Sequence, residues 1–337
     1  MTRRLVIATL VALPLAGLLV ALAFLGRPFQ GFTAEAVVVE VPEGAAAEGV
    51  AEILARAGVI RSAWAFRWLV RLDGSEHRLR SGEYRFSGAL TLYAVRDTLV
   101  RGEVVRHRLT VPEGLTLGEV ALLLEREGWG DAASVRSAAR RVDPIADLDP
   151  AATDLEGYLF PDTYEFARRT PPDLIVARMV ARFREVFTAA QAEAARKSGL
   201  SPREAVTLAS LIEEETHLPS ERALVGSVFR NRLRHGMLLQ CDPTVGFALA
   251  LAGRARAPLT RADLRFASPY NTYLHPGLPP GPIASPGQAA LRAALEPYPS
   301  DYLYFVADGS GGHYFARTLP EHLRAVRRWR QATRSSR

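Results

Sequence analysis

The chain has 337 residues, 48% hydrophobic and 23% charged, which excludes a disordered or fibrous polymer and leaves room for one large domain or two ordinary ones. Its formal charge of +6 comes from 42 Lys and Arg against 36 Asp and Glu; the excess is modest and spread along the chain, so no nucleic-acid partner is expected. The single cysteine, Cys241, rules out an intramolecular disulfide framework and reads as a small core residue.

The first element in chain order is apolar. Leu5 to Gly26 carries no charge and reaches the ~20 residues that cross a bilayer as a helix. The exit, AFLGRPFQGF, has no convincing small-residue cleavage site, so the segment reads as an uncleaved anchor. Arg3 and Arg4 precede it, which puts the N-terminus in the cytoplasm and the bulk of the chain outside; Arg27 is a weaker counter-signal.

A short linker leads to AVVVEV (Ala36 to Val41), a β-branched strand that ends in the turn signal VPEG. GVAEILARAGVI (Gly49 to Ile60) then has helical periodicity. The pattern recurs about 70 residues later, where VPEG at Val111 to Gly114 is followed by a helix carrying Val120, Leu123 and Leu124 on one face. Between the copies, Ser81 to Ser87 alternates like an exposed strand and Thr91 to Glu103 reads as a short helix. A domain boundary is expected near Asp143, where an Asp- and Pro-rich stretch begins. A helical pattern runs from Pro171 to Ala195, and Ser201 with Glu204 three positions on forms a capping box.

That capped helix runs into LIEEET. Positions 208, 211, 212 and 215 are i, i+3, i+4 and i+7, so Glu215 takes a core-facing position if the helix persists, with Glu213 at the edge of the apolar stripe and Glu214 opposite it. Burial would raise the pKa of Glu215 and suit it to proton donation; the alternative is a buried carboxylate paired with an Arg such as Arg232. The next helix is expected to start after Pro219 with Ser220 as its cap and to end at Gly236, with Asn231 and Arg232 on its inner side. Gln240, Asp242 and Thr244 cluster around Pro243, and Asp242 could equally be a simple helix cap. Tyr270 to Gly287 has too many Pro and Gly for a helix or central strand and reads as a long ordered loop presenting Tyr270, Asn271 and Tyr273. Tyr302 to Phe315 reads as a hairpin around DGSGG. No metal site or cofactor is expected: the His residues are scattered, and no H-E-x-x-H, Walker, Rossmann or G-x-S-x-G pattern occurs.

The runs EGYLFPDTYEF, ASLIEEET, SERALVGSVFRNRLRHGMLLQCDPTV, YNTYLHPGLPPGPIASPG and YLYFVADGSGGHYF resemble the endolytic murein transglycosylase (YceG-like) family from about residue 36 to about 330. The resemblance implies an α+β protein with a single N-terminal transmembrane helix (5–26, after a cytoplasmic tail 1–4), a linker (27–35), a small LysM-like subdomain (36–110), a second strand–helix unit and connector (111–150), a YceG-like catalytic domain (151–330) and a tail (331–337). It implies a single-pass inner-membrane enzyme facing the periplasm or wall space, cutting nascent glycan strands of peptidoglycan, with peptidoglycan synthases (penicillin-binding proteins) as partners. Glu215, immediately before Thr216, matches the family's catalytic glutamate. Glu213, Asn231, Gln240, Asp242, Tyr270 and Asn271 match motif positions, and Tyr273 falls in the same loop, as candidate substrate contacts. Cys241 stands where Thr or Ser is expected, with the possible loss of a hydrogen bond. The rivals are a hydrolytic muramidase with Asp242 or Glu213 as second carboxylate, and a non-catalytic peptidoglycan-binding scaffold.

Overall fold

The computed structural model describes residues 25–254 and 258–335. The expected membrane segment therefore lies outside the described residues except for Leu25 and Gly26; among the described residues no helix is long and apolar enough to cross a membrane. The architecture is mixed α+β, and the chain divides into two compact units, one running to Arg108 with Glu165–Arg169, the other Leu109–Tyr164 with Thr170 onward. The second VPEG segment thus belongs to the larger unit, ahead of the boundary expected near Asp143.

In the first unit, β1 (Ala36–Val41) and β2 (Gly82–Ser87) pair antiparallel, Val39 opposite Tyr84 and Val41 opposite Gly82. The period of two puts Val39, Val41, Tyr84 and Phe86 on one buried face, so β2, which reads as exposed, has one face in the core. Three helices cover that face: α1 (Ala47–Arg56) with Val50 and Leu54, α2 (Ala63–Leu72) with Phe66, Leu69 and Val70, and α3 (Leu92–Arg101) with Val95 and Leu99. The sequence reading did not assign α2, although Phe66, Leu69 and Val70 recur on one face at helical spacing.

In the second unit, α4 (Leu117–Arg126) starts at a capping box in which Thr116 and Glu119 bond reciprocally, and α5 (Ala132–Ala138) packs on it. β3 (His107–Thr110) pairs with β4 (Thr163–Phe166); of these strands His107, Arg108, Glu165 and Phe166 fall in the first unit. The helical stretch expected over 171–195 is two helices, α6 (Pro172–Val186) and α7 (Ala189–Lys197), broken at Phe187, with Thr188 and Gln191 capping the second. α8 (Pro202–Glu215) begins at the expected Ser201–Glu204 box. α9 (Arg222–Arg234) has Glu221 at its N-cap, one residue later than the expected Ser220, and no side-chain cap. Then follow α10 (Asp242–Leu251), the irregular loop 270–287, α11 (Gln288–Leu295), the hairpin of β5 (Tyr304–Ala307) and β6 (His313–Ala316) around Asp308–Gly312, and α12 (Leu319–Ser335).

α8 is the centre of this unit. It packs on α7, α9, α10 and α11, and Ala205 through Glu213 are all buried. A helix enclosed on all sides has no solvent face for periodicity to reveal.

Candidate active site

The last turn of α8 carries Glu213, Glu214 and Glu215, and Glu213 is buried there as well as Glu215, whose carboxyl is enclosed as the wheel expects. Taken over the whole residue, Glu213 is 3% exposed, and Glu214 and Glu215 are half-buried. One Glu213 oxygen accepts from Arg222 Nη2 at 2.6 Å and the other from the Gly287 N–H at 2.9 Å. Arg222 also reaches Glu113 at 3.1 Å. This network ties the end of α8 to the start of α9, to the cap of α11 and to the second VPEG loop. Gly114 N–H and Ser285 carbonyl (3.0 Å), with Ser285 N–H and Leu115 carbonyl (2.8 Å), close the stitch. A Cβ at position 287 would lie 1.7 Å from a Glu113 oxygen, so a larger residue there would displace the Glu113 side chain from Arg222. Burial pushes the Glu213 carboxyl upward, while the Gly287 N–H and Arg222 hold it down.

Glu215 closes α8, before the buried C-cap Thr216. Its surroundings are the Cys241 thiol, Asp242 and His313. Burial raises its pKa to about 7; the Cys241 hydrogen bond and the His313 charge pull it down, and the Asp242 and Glu214 charges push it up. Near neutral pH this carboxyl is therefore partly protonated, able to give a proton and to take one back. The Cys241 thiol is the weak donor beside Glu215. Burial, foremost, and the neighbouring carboxylate push its own pKa well up, which argues against a nucleophilic thiolate.

The turn that holds Cys241 is pinned from the long loop. Cys241 N–H donates to Thr272 Oγ1 at 3.0 Å, the Thr272 and Thr244 hydroxyls lie 2.9 Å apart, and Gln240 N–H donates to the Thr272 carbonyl at 3.2 Å. Gln240, exposed, has φ of 52°, left-handed backbone that costs a non-glycine residue about 1–3 kcal/mol and persists only when its surroundings enforce it. Asp242 is the first residue of α10 and not its cap, which is Cys241; it is exposed and accepts from the Tyr273 hydroxyl at 2.5 Å.

Of the other expected residues, three build the scaffold. Asn231 spends its amide on the Ser300 and Tyr302 carbonyls, both at 2.8 Å. Asn271 donates to the Leu264 and Phe266 carbonyls at 3.1 and 2.8 Å and accepts from Tyr273 N–H at 2.9 Å. Arg232, weighed as a partner for Glu215, donates instead to the carbonyls of Leu303 (2.7 Å), Leu238 (3.2 Å) and Leu239 (2.8 Å). Tyr270 is not in the Glu215 group: its ring tilts on Phe247 at 5.0 Å, with Asp154, Arg203 and Glu156 as charged neighbours. A cleft of about 270 Å³ opens beside this end of α8, walled by Thr116, Glu119, Arg136, Glu214, Pro243 and Phe247.

The residue-by-residue reading missed His313. Its Nδ1 lies 2.6 Å from Glu221 Oε2 and its N–H donates to Glu221 Oε1 at 2.9 Å, so the ring is fixed in place near Glu215. The signal was an acid in SERALV and a histidine in GGHYF, 92 residues apart in the chain. Among the described residues no three His, Cys, Asp or Glu side chains converge as a metal cage.

Residues 39–328 match the sequence model of the YceG-like family. The chain is 33% identical over 322 residues to an endolytic murein transglycosylase of Bacillus subtilis (strain 168), covering 90% of this chain and 87% of that protein. It is 28% identical over 328 residues to one of Streptococcus pneumoniae (strain ATCC BAA-255 / R6), spanning 59% of that protein's length. The crystal structure of a YceG-like protein from Listeria monocytogenes, 32% identical, superposes with a TM-score of 0.58 over 86% of this chain and 98% of that one.

Proposed function

Because the chain belongs to the YceG-like family, we infer that it is an endolytic lytic transglycosylase of peptidoglycan with Glu215 as its proton donor and acceptor. The observation that carries this reading is the contrast within one helical turn. Both oxygens of Glu213 are committed to Arg222 and Gly287, whereas Glu215 faces a weak thiol donor and has a pKa of about 7.

In the proposed reaction the Glu215 carboxyl protonates the oxygen of the MurNAc–GlcNAc bond, and the C1–O bond breaks. The carboxylate left behind takes the proton of the C6 hydroxyl of the same MurNAc. That oxygen attacks C1 and closes a 1,6-anhydro ring, so Glu215 ends protonated as it began and no water is consumed. The nucleophile is tethered to the substrate, which replaces the second carboxylate of an ordinary glycosidase. His313, held by Glu221, would stabilise the carboxylate between the two transfers, and Tyr273 with Asp242 would border the reacting sugar.

The second reading is a hydrolytic muramidase. It is favoured by Asp242, an exposed carboxylate close enough to Glu215 to raise its pKa; Glu213, with both oxygens engaged, is a poor second carboxylate. In both readings Leu5 to Gly26 anchors the chain in the cytoplasmic membrane, the larger unit works on the outer side, the smaller unit is LysM-like, and peptidoglycan synthases are neighbours. Digestion of uncrosslinked glycan strands, with mass spectrometry of the new ends, separates them. Anhydro-MurNAc ends, absent with Glu215→Gln, are the expected result. Reducing MurNAc ends would replace it with the hydrolase, and binding without cleavage would leave only a scaffold.

A further inference from the structure

The first unit begins where the apolar N-terminal segment ends, and it leaves one helix face uncovered. Leu25, next to the end of that segment, packs against the core of the unit. Four residues on, Phe29 and Leu90 exchange backbone hydrogen bonds at 2.9 and 3.0 Å, and the Arg61 guanidinium lies 5.1 Å from the centre of the Phe29 ring. Ser62, next in the chain, caps α2. The start of α2 is therefore held against the segment's exit. From Gly26 to Phe29 the chain reaches at most ~10 Å, comparable to the ~5–8 Å headgroup layer of one leaflet.

The outer face of α2 matches that location. Phe66, Leu69 and Val70 point into the core. Opposite them Trp64, Trp68 and Leu72, at i, i+4 and i+8, are 67%, 45% and 79% exposed. Arg67 and Arg71 run along one edge of this stripe, and α2 contains no acidic residue; Arg67 is shared with Glu48 at 3.3 Å. Trp and Arg on a helix that lies along a surface are the composition of an interfacial anchor: indole settles at the headgroup level and guanidinium meets anionic phosphate.

We propose that the outer face of α2, Trp64, Trp68 and Leu72 edged by Arg67 and Arg71, rests on an anionic lipid surface and seats the first unit on the membrane. The inference rests on the anchoring of Leu5 to Gly26. A glycan strand is the other occupant to weigh, since Trp64, Arg67, Trp68 and Arg71 border a cleft of about 770 Å³ with Glu48, Glu76 and His77. The two indoles are tilted 59° to one another and do not make a flat platform for successive sugars. Leu72, the most exposed of the stripe, gives a sugar nothing to bond and gives an acyl boundary apolar area. Lipid is the better fit.

The test is depth-dependent quenching. The full chain is reconstituted into phosphatidylethanolamine–phosphatidylglycerol vesicles with or without a lipid brominated near the top of its acyl chain, beside Trp64→Phe/Trp68→Phe. The chain has four tryptophans, and Trp129 is buried, so the double variant isolates the emission of the α2 pair. The expected result is loss of emission with brominated lipid in the wild-type chain and disappearance of that loss in the variant. Flotation of the same samples reports the anchor independently. A chain that floats without quenching overturns the seating and leaves the anchor standing. One that neither floats nor is quenched overturns both. Indole emission that ignores brominated lipid and shifts on adding glycan strands gives the face to the glycan and overturns the proposal.

Discussion

Glu213 and Glu215 leave the same turn of α8 two residues apart and end in opposite surroundings. On one side, Glu213 is enclosed and both its oxygens are spoken for by Arg222 and Gly287. On the other, Glu215 has a pKa of about 7 beside a thiol, and Arg232, within its electrostatic reach, spends its hydrogen bonds on backbone carbonyls. Burial acts on both. What separates them is compensation: a buried carboxylate with strong donors becomes architecture, and one with a single weak donor keeps a labile proton.

The contrast can be broken most directly by exchanging each carboxyl in turn. Glu215→Gln keeps the volume and removes the proton, and is expected to lower strand cleavage by about 10²–10⁴-fold while thermal unfolding stays near wild type. Comparable cleavage by this variant would move the chemistry elsewhere. Glu213→Ala should show the inverse pattern. It strips Arg222 of its closest partner, and removing one member of a buried pair costs about 3–5 kcal/mol, with Glu113 retaining part of that; denaturant unfolding reads the loss, and activity per folded molecule should fall much less than in Glu215→Gln.

The pH profile sharpens the same contrast. The proposed reaction needs Glu215 protonated, so kcat/KM should be level in acid and fall about tenfold per unit above pH 7. A folded-state pKa raised above the ordinary carboxyl value of ~4.3 means the folded protein binds this proton more tightly than the unfolded chain. The stability it contributes is complete below that ordinary value and is lost as the pH rises through about 7. A profile with no limb near neutral pH would sink the assignment of Glu215. The smallest expected effect is at Cys241. Cys241→Ala removes a donor that favours the carboxylate and should move the limb upward by ~1 pH unit or less; Cys241→Ser, a better donor, should move it downward.

Much of this arrangement is legible along the chain. Ser201 with Glu204 fixes where α8 starts, because a capping box is satisfied within four residues. Asp308 to Gly312 marks the β5–β6 turn, and the Pro and Gly of 270–287 exclude regular structure. The motif runs mark the family and single out Glu215 as the candidate. The wheel reached the same residue through an assumption that does not hold, namely that α8 has one buried face. Its burial is all round, so periodicity cannot rank Glu213 against Glu215.

The sequence by itself thus determined the start of α8, the β5–β6 turn and the family, because each is written in runs of neighbouring residues. Tertiary structure alone decided which glutamate is locked and which keeps its proton. Glu213 meets Gly287 across 74 positions and Arg222 meets Glu113 across 109. Arg232, Asn231 and Asn271 turn to backbone carbonyls that only the folded loops bring within reach. A side chain's spacing along a helix fixes its direction; its proton affinity is set by the dielectric and the donors that other segments supply.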